Sequence, residues 1–271
     1  MSSSRSRGAS GDRRYDYCSL KLRRILWRGE GVALLSYQPL GCRPPVFEPA
    51  QFAMFWVPGM EAVPLAPIYS GAKRLDFLVK ARGPTTRRIV EEPPERAGII
   101  GPMGRGFKPR AARLLLAAGG TGAASLTPVA RWAADQGATV VFVYGARSAG
   151  ELAPVEGYLG PGVELVVATE NGSRGRRGTV VDVVEDLGLE GFDAVAAAGP
   201  EAMLCRLYRL AAGKGLLGRL YLSLETMVRC GMGFCGACLV PCTGILLCRE
   251  GPVLPAAKLG CWAEESCRQT R

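Results

Sequence analysis

Residues 230–248 read CGMGFCGACLVPCTGILLC, which puts five of the chain's ten cysteines inside nineteen positions. The surrounding segment, 221–271, has little apolar periodicity, so it needs an internal staple to hold a fold. Cys230, Cys235 and Cys238 are spaced C-x4-C-x2-C. That is the plant-type [2Fe–2S] spacing, and it requires a fourth thiolate further on. Gly231, Gly233 and Gly236 let a loop wrap closely round a flat iron–sulfide rhomb and aim N–H groups at its sulfides. Structural zinc prefers paired short knuckles, and only Cys235 and Cys238 make one. Inert buried thiols fit poorly at this density. Cys242 and Cys248 both compete as the fourth ligand; a loop returning to the far iron favours the longer reach.

The other cysteines argue against a disulfide scaffold. The chain is too long to depend on staples, and no apolar leader follows its Ser- and Arg-rich start. Cys18, Cys42 and Cys205 read as small buried hydrophobes. Cys261 and Cys267 stand near the end as a candidate pair or as bystanders. A cytoplasmic location follows.

Charge and composition narrow the function classes. The net charge is +10, and residues 1–24 carry seven Arg or Lys against two Asp, so half the excess sits in these N-terminal residues. Aromatics are scattered at 7%, unlike a nucleic-acid surface. Histidine is absent, which removes imidazole acid–base chemistry, His-ligated zinc and the Rieske type of cluster. No run of roughly 18 apolar residues occurs, so no membrane span is expected.

Four regions follow along the chain: a disordered tail at 1–14, then 15–108, 109–220 and 221–271. In the second, GVALLSYQPL, FAMFWVP and LDFLVKA are short apolar runs broken by Pro and Gly, the pattern of a small β-barrel. In the third, RLLLAAGG, TVVFVYGA, VELVVATE and FDAVAAAGP are continuous apolar runs. Such runs imply a parallel sheet buried on both faces. The helix-like stretches between them give a doubly wound α/β domain.

Several loops carry candidate chemistry. LLLAAGGTGAAS places Gly119, Gly120 and Gly122 between a strand and a helix, where a pyrophosphate can approach the backbone. The spacing is short of the full dinucleotide fingerprint, and a tight turn without ligand reads the same way. GPEAM ends a second such strand. Gly83, Thr85 and Thr86 follow another strand and suit either a phosphate or a solvated turn. VPLAP at 63–67 is a rigid wall for a flat ring or simply a loop. GPMGRGF at 101–107 reads as a linker. Arg147 suits a 2′-phosphate or plain exposure.

Taken together, LSLETMVRCGMGFCGAC, the following CREGPV, VPLA, LVK, GPMGRGF, AAGGTGAAS and GPEAM make the sequence similar to the electron-transfer subunits of dihydroorotate dehydrogenase B. These form a branch of the ferredoxin–NADP+ reductase group. The resemblance implies a β-barrel flavin domain, an α/β nucleotide-binding domain and a small C-terminal [2Fe–2S] segment. It assigns Cys248 as fourth ligand beside Cys230, Cys235 and Cys238. It implies FAD contacts at Val63, Pro64, Leu65 and Ala66, with Leu78, Val79, Lys80, Thr85 and Thr86 near the phosphates. Gly119, Gly120 and Gly122 fall on the nicotinamide side, with NAD(H) as co-substrate. Ala198 stands where a Cys is usual, and Ser125 where a Pro is usual. The implied partner is an FMN-containing dihydroorotate dehydrogenase catalytic subunit, in a heterotetramer serving pyrimidine synthesis. The alternatives are a flavin and iron–sulfur subunit of a hydrogenase, a sulfide dehydrogenase or a ferredoxin:NAD(P) transhydrogenase. A zinc-stapled binding module stands as the non-enzyme rival.

Overall fold

The computed structural model describes residues 15–268; the basic tail at 1–14 lies outside the described residues. Two seven-stranded sheets organise the chain. The first holds β1 (Asp16–Gly29), β2 (Val32–Pro39), β3 (Phe52–Trp56), β4 (Val63–Leu65), β5 (Pro67–Gly71), β6 (Arg74–Lys80) and β7 (Arg96–Met103). Its order is β4-β3-β7-β1-β2-β6-β5, with antiparallel pairing throughout, as in a nearly closed barrel. Tyr37, Phe55 and Phe77 meet edge to face inside it, the arrangement aromatic quadrupoles favour. Helix α1 (Pro84–Glu91) covers one end through buried Ile89 and Val90.

The second sheet comprises β8 (Arg113–Gly119), β9 (Thr139–Ala146), β10 (Val163–Thr169), β11 (Arg176–Arg177), β12 (Ala194–Ala198), β13 (Leu220–Ser223) and β14 (Val253–Pro255). Its order is β11-β10-β9-β8-β12-β13-β14. All pairs are parallel except β13 with β14. The apolar runs of β8, β9 and β12 are buried along nearly their whole length. Helices α2 (Ala123–Asp135), α3 (Val180–Leu187) and α4 (Glu201–Gly213) cover the faces. Strand order reverses between β8 and β12, and the carboxyl ends of such neighbours open a ligand crevice. The C-terminal segment adds α5 (Leu247–Glu250) and α6 (Gly260–Ser266). Through β14 it joins the α/β sheet directly, so the thiol loop is anchored on a buried scaffold. Among the described residues, no helix is long and apolar enough to cross a membrane.

Six of the ten cysteines depart from the sequence expectation. Cys18 pairs with Cys42, Cys205 with Cys267 and Cys242 with Cys261, across sequence separations of 24, 62 and 19 residues. The expectation of isolated, inert thiols at Cys18, Cys42 and Cys205 is therefore corrected, and so is that of a chain without a disulfide framework. Cys261 and Cys267 are both bonded, but not to each other. Pairing at such distances is set by tertiary contact, which spacing does not encode.

Glu151 ties the two sheets together. Only 6% exposed, it takes Lys80 of β6 at 2.9 Å and Arg147 just beyond β9. Burial pushes its carboxyl up, but the hydrogen bonds from Arg147 and Lys80 outweigh this and hold it below its ordinary 4.5. Its contribution is thus present above that value and lost as pH falls through the lower folded value. Glu151→Gln is expected to lower the stability measured by urea unfolding by about 1–2 kcal/mol at neutral pH, the half-exposed partners reducing the effect. The deficit should shrink in acid.

Candidate flavin cleft and thiol site

A cleft of about 1020 Å³, its solvent-facing part included, runs between the barrel and the carboxyl ends of β8, β12 and β13. Pro64, Leu65 and Ala66 of the β4–β5 edge line one side, with Leu78, Val79 and Lys80 from β6. Pro64 pairs with Met54 on an edge strand, where a missing N–H costs nothing. Val63 lies outside the lining and packs half-buried on the barrel core. Thr86 reaches the cleft, while Thr85 is buried and donates its hydroxyl to the Glu61 carbonyl at 3.0 Å. The Thr86 hydroxyl accepts the N–H groups of Arg82 and Gly83 at 2.9 and 3.0 Å. Both hydroxyls are thus occupied, that of Thr85 by the segment before β4 and that of Thr86 by the start of α1. What remains for a phosphate is the pair of first-turn amides at Thr85 and Thr86, which a helix leaves without internal acceptors.

Across the cleft, Gly122, Thr121, Ser125 and Ala198 form the opposite wall. Gly119 ends β8 and Gly120 opens the β8–α2 turn, both outside the lining. A Cβ at Gly122 would lie 2.1 Å from the Ala198 carbonyl oxygen, so this turn touches β12 backbone to backbone. Arg147 is held by Glu151.

The floor was not legible as a site. Ser223 at the end of β13, and Leu224 and Thr226 just beyond it, line it. Their signal was positional: they extend the carboxyl end of another buried strand, where ligands bind. Thr226 is the informative member, because its Oγ1 is buried and has no hydrogen-bond partner. A buried hydroxyl without a partner is costly, and a polar ligand in the cleft would satisfy it.

The four cysteines outside disulfides are Cys230, Cys235, Cys238 and Cys248, the four the resemblance singles out. Cys230 Sγ accepts the N–H groups of Met232 and Cys235 at 3.4 and 3.5 Å. Burial pushes that thiol up, yet these amides and that of Phe234 outweigh it and bring it down to about 6. Cys238 and Cys248 lie deeper, with their sulfurs 3.2 Å apart. Burial, and then the neighbouring Cys238, push Cys248 up to about 12. Two thiols sharing a buried pocket with no cation repel a shared negative charge, and a metal cluster reverses that balance. Donor type, number and backbone N–H provision therefore fit an iron–sulfur centre.

The thiol loop lies on the barrel. Gly231, at φ +70, brings its backbone so close to Met103 that a Cβ would meet Sδ at 2.0 Å. The GPMGRGF stretch, expected to be a linker, hydrogen-bonds the thiol segment: Gly104 N–H donates to the Cys248 carbonyl at 2.8 Å. Val228 and Leu247, flanking Cys230 and Cys248, also line the cleft. Cleft and thiols thus share a wall.

Comparison with known proteins agrees with this geometry. Residues 225–260 match the iron–sulfur cluster binding domain of dihydroorotate dehydrogenase B. The "Probable dihydroorotate dehydrogenase B (NAD(+)), electron transfer subunit" of Methanocella arvoryzae is 32% identical over 213 residues, covering 78% of this chain and 81% of that protein. The protein of the same description from Methanopyrus kandleri is 35% identical over 227 residues, covering 82% of each. The chain belongs to this family. The fold of the chain is ferredoxin reductase-like. An NADH-dependent reduced ferredoxin-NADP oxidoreductase, solved in a study of flavin-based electron bifurcation, superposes with a TM-score of 0.77 at 25% identity over 88% of each chain. A ferredoxin reductase of carbazole 1,9a-dioxygenase shares the fold, with a TM-score of 0.66 at 21% identity over 77% of this chain and 68% of that one. As a member of this family the chain is an oxidoreductase subunit that transfers electrons, and the thiol loop is its most specific signature.

Proposed function

We propose that the cleft holds FAD and that Cys230, Cys235, Cys238 and Cys248 hold a [2Fe–2S] cluster. The chain then exchanges electrons between NAD(H) and an FMN-containing dihydroorotate dehydrogenase catalytic subunit, in a cytoplasmic heterotetramer. The observation that carries this reading is the shared wall: Leu247 lines the cleft while Cys248 follows it in α5. A flavin takes electrons in pairs and releases them singly, and a [2Fe–2S] centre carries one.

The chain's own residues hold and insulate. Pro64, Leu65 and Ala66 present a stiff apolar edge to a flat ring, with Val63 anchoring that edge in the barrel. Leu78 and Val79 continue the wall, and Lys80 adds its stem, since its ammonium is taken by Glu151. The amides of Thr85 and Thr86 face the phosphates. Gly119, Gly120 and Gly122 keep the second wall free of side chains for a dinucleotide. Thr226 supplies a hydroxyl to the ligand. Thr226→Val should therefore speed flavin loss on dilution by about fivefold, the value of one neutral hydrogen bond, with iron content unchanged. Unaltered flavin retention would remove Thr226 from the site.

Co-expression with the catalytic subunit tests the whole reading. Dihydroorotate and NADH should each bleach the visible absorption of the purified complex under anaerobic conditions. A second reading, a subunit of a ferredoxin:NAD(P) transhydrogenase, draws on the superposition with the bifurcating oxidoreductase. It predicts that reduced ferredoxin bleaches the chain and that dihydroorotate does not.

A further inference from the structure

Resting on the assignment of Cys238 and Cys248 as cluster ligands, we infer that Cys242–Cys261 is a thiol–disulfide exchange site for a dithiol reductant, and that its opening loosens the cluster. The chain between these two ligands is a hairpin. Leu247 N–H donates to the Cys238 carbonyl at 3.1 Å at its base, and Val240 N–H to the Ile245 carbonyl at 2.9 Å near its tip. Val240 and Leu247 bury the body of this hairpin in the core. Its exposed tip is tied down where Cys242 bonds Cys261 of α6. Helix α6 is held in turn by Cys267 to Cys205 of α4, and by buried Trp262 against Tyr208. Two disulfides in series thus moor the ligand hairpin to the α/β domain.

The two differ in access. Cys205 and Cys267 are 0% and 3% exposed, whereas Cys242 and Cys261 are both exposed. The third pair is shielded on one side, because Cys18 is 0% exposed. Exchange needs an attacking thiolate to reach a sulfur in line, so the hairpin staple is the accessible one. One feature favours its open form: Glu265 Oε1 lies 2.9 Å from Cys242 Sγ and accepts a hydrogen bond once that sulfur carries a proton. Cys242, at φ +56, stands third in a turn closed by Thr243 N–H to the Val240 carbonyl at 3.2 Å, which presents its sulfur on the surface.

The chemistry balances with a dithiol. Its thiolate attacks one sulfur of the pair, forming a mixed disulfide and expelling the other. Its second thiol then closes a ring disulfide and expels the remaining sulfur. Two electrons and two protons pass to Cys242 and Cys261, and the reductant leaves oxidised.

The test uses the complete holoprotein, equilibrated anaerobically with graded ratios of reduced to oxidised dithiothreitol. Alkylation and mass spectrometry read which pairs open, and iron release to a chelator is followed in parallel. Cys242–Cys261 should open at a ratio about tenfold milder than either other pair, and iron release should then rise about tenfold. A Cys242→Ser, Cys261→Ser double variant should release iron at the fast rate with or without dithiol. Prior opening of another pair, unchanged iron release after opening, or a dithiol effect persisting in the double variant would overturn the inference. A protein lacking iron from the start would instead overturn the ligand assignment, while the order of opening would still decide the exchange site.

Discussion

Cys248→Ala should empty the thiol site of iron. Cys248 is fully buried and its carbonyl is held by Gly104, so a smaller side chain leaves the backbone in place. What is lost is one thiolate of four, and three cannot complete both irons. Iron per chain should fall at least about tenfold, as second-sphere losses alone cost roughly 10–100-fold in affinity. Dihydroorotate-dependent reduction of NAD by the complex should fall with it. FAD content and NADH-driven reduction of a two-electron dye should stay within about twofold, because the cleft is built from other residues. Cys242→Ser separates the two competitors for fourth ligand: isolated anaerobically, it should keep its iron. Retention of a full iron complement by the Cys248 variant would move the ligand to Cys242.

The second large effect belongs to the α/β side. Gly122→Ala would place Cβ 2.1 Å from the Ala198 carbonyl oxygen, 2.4 Å from its carbon and 2.9 Å from Gly199 N. All three are backbone atoms of neighbouring strand and turn, and none can rotate aside. The β8–α2 turn and the end of β12 must separate at the point where the cleft opens. Unfolding in urea should show a loss of about 2–3 kcal/mol, as in overpacked cores, and the variant should retain less flavin. Gly213→Ala is the control: a Cβ there meets nothing within 4 Å, so stability should hold or rise.

Much of this is legible in the sequence, for definite reasons. Strands β8, β9 and β12 are buried on both faces, so their apolar runs are uninterrupted and announce a parallel sheet. The thiol spacing is chemistry written in consecutive residues, as are the three glycines that its wrapping needs. What escaped reading was set by distance. Cys18, Cys205 and Cys242 find partners tens of residues away, and only packing decides which. Thr226 acquires meaning because β13 ends beneath the cleft, and nothing in LSLET marks it as a floor. At Thr85 and Thr86 the sequence offers amides and hydroxyls together for a phosphate, but tertiary contact takes one hydroxyl to the Glu61 carbonyl and the helix start takes the other, which leaves the amides. The GPMGRGF stretch looked like a spacer because glycine suits linkers, whereas Gly104, at φ +76, sits against the Gly251 carbonyl, where a Cβ would lie 2.5 Å away.

The most direct measurement is elemental and flavin analysis of anaerobically purified protein, with electron paramagnetic resonance after reduction by NADH. Two irons, two acid-labile sulfides and one FAD per chain, with the low-temperature signal of a reduced two-iron centre, are the predicted result. One zinc per chain with no sulfide, or a protein free of flavin, would contradict it.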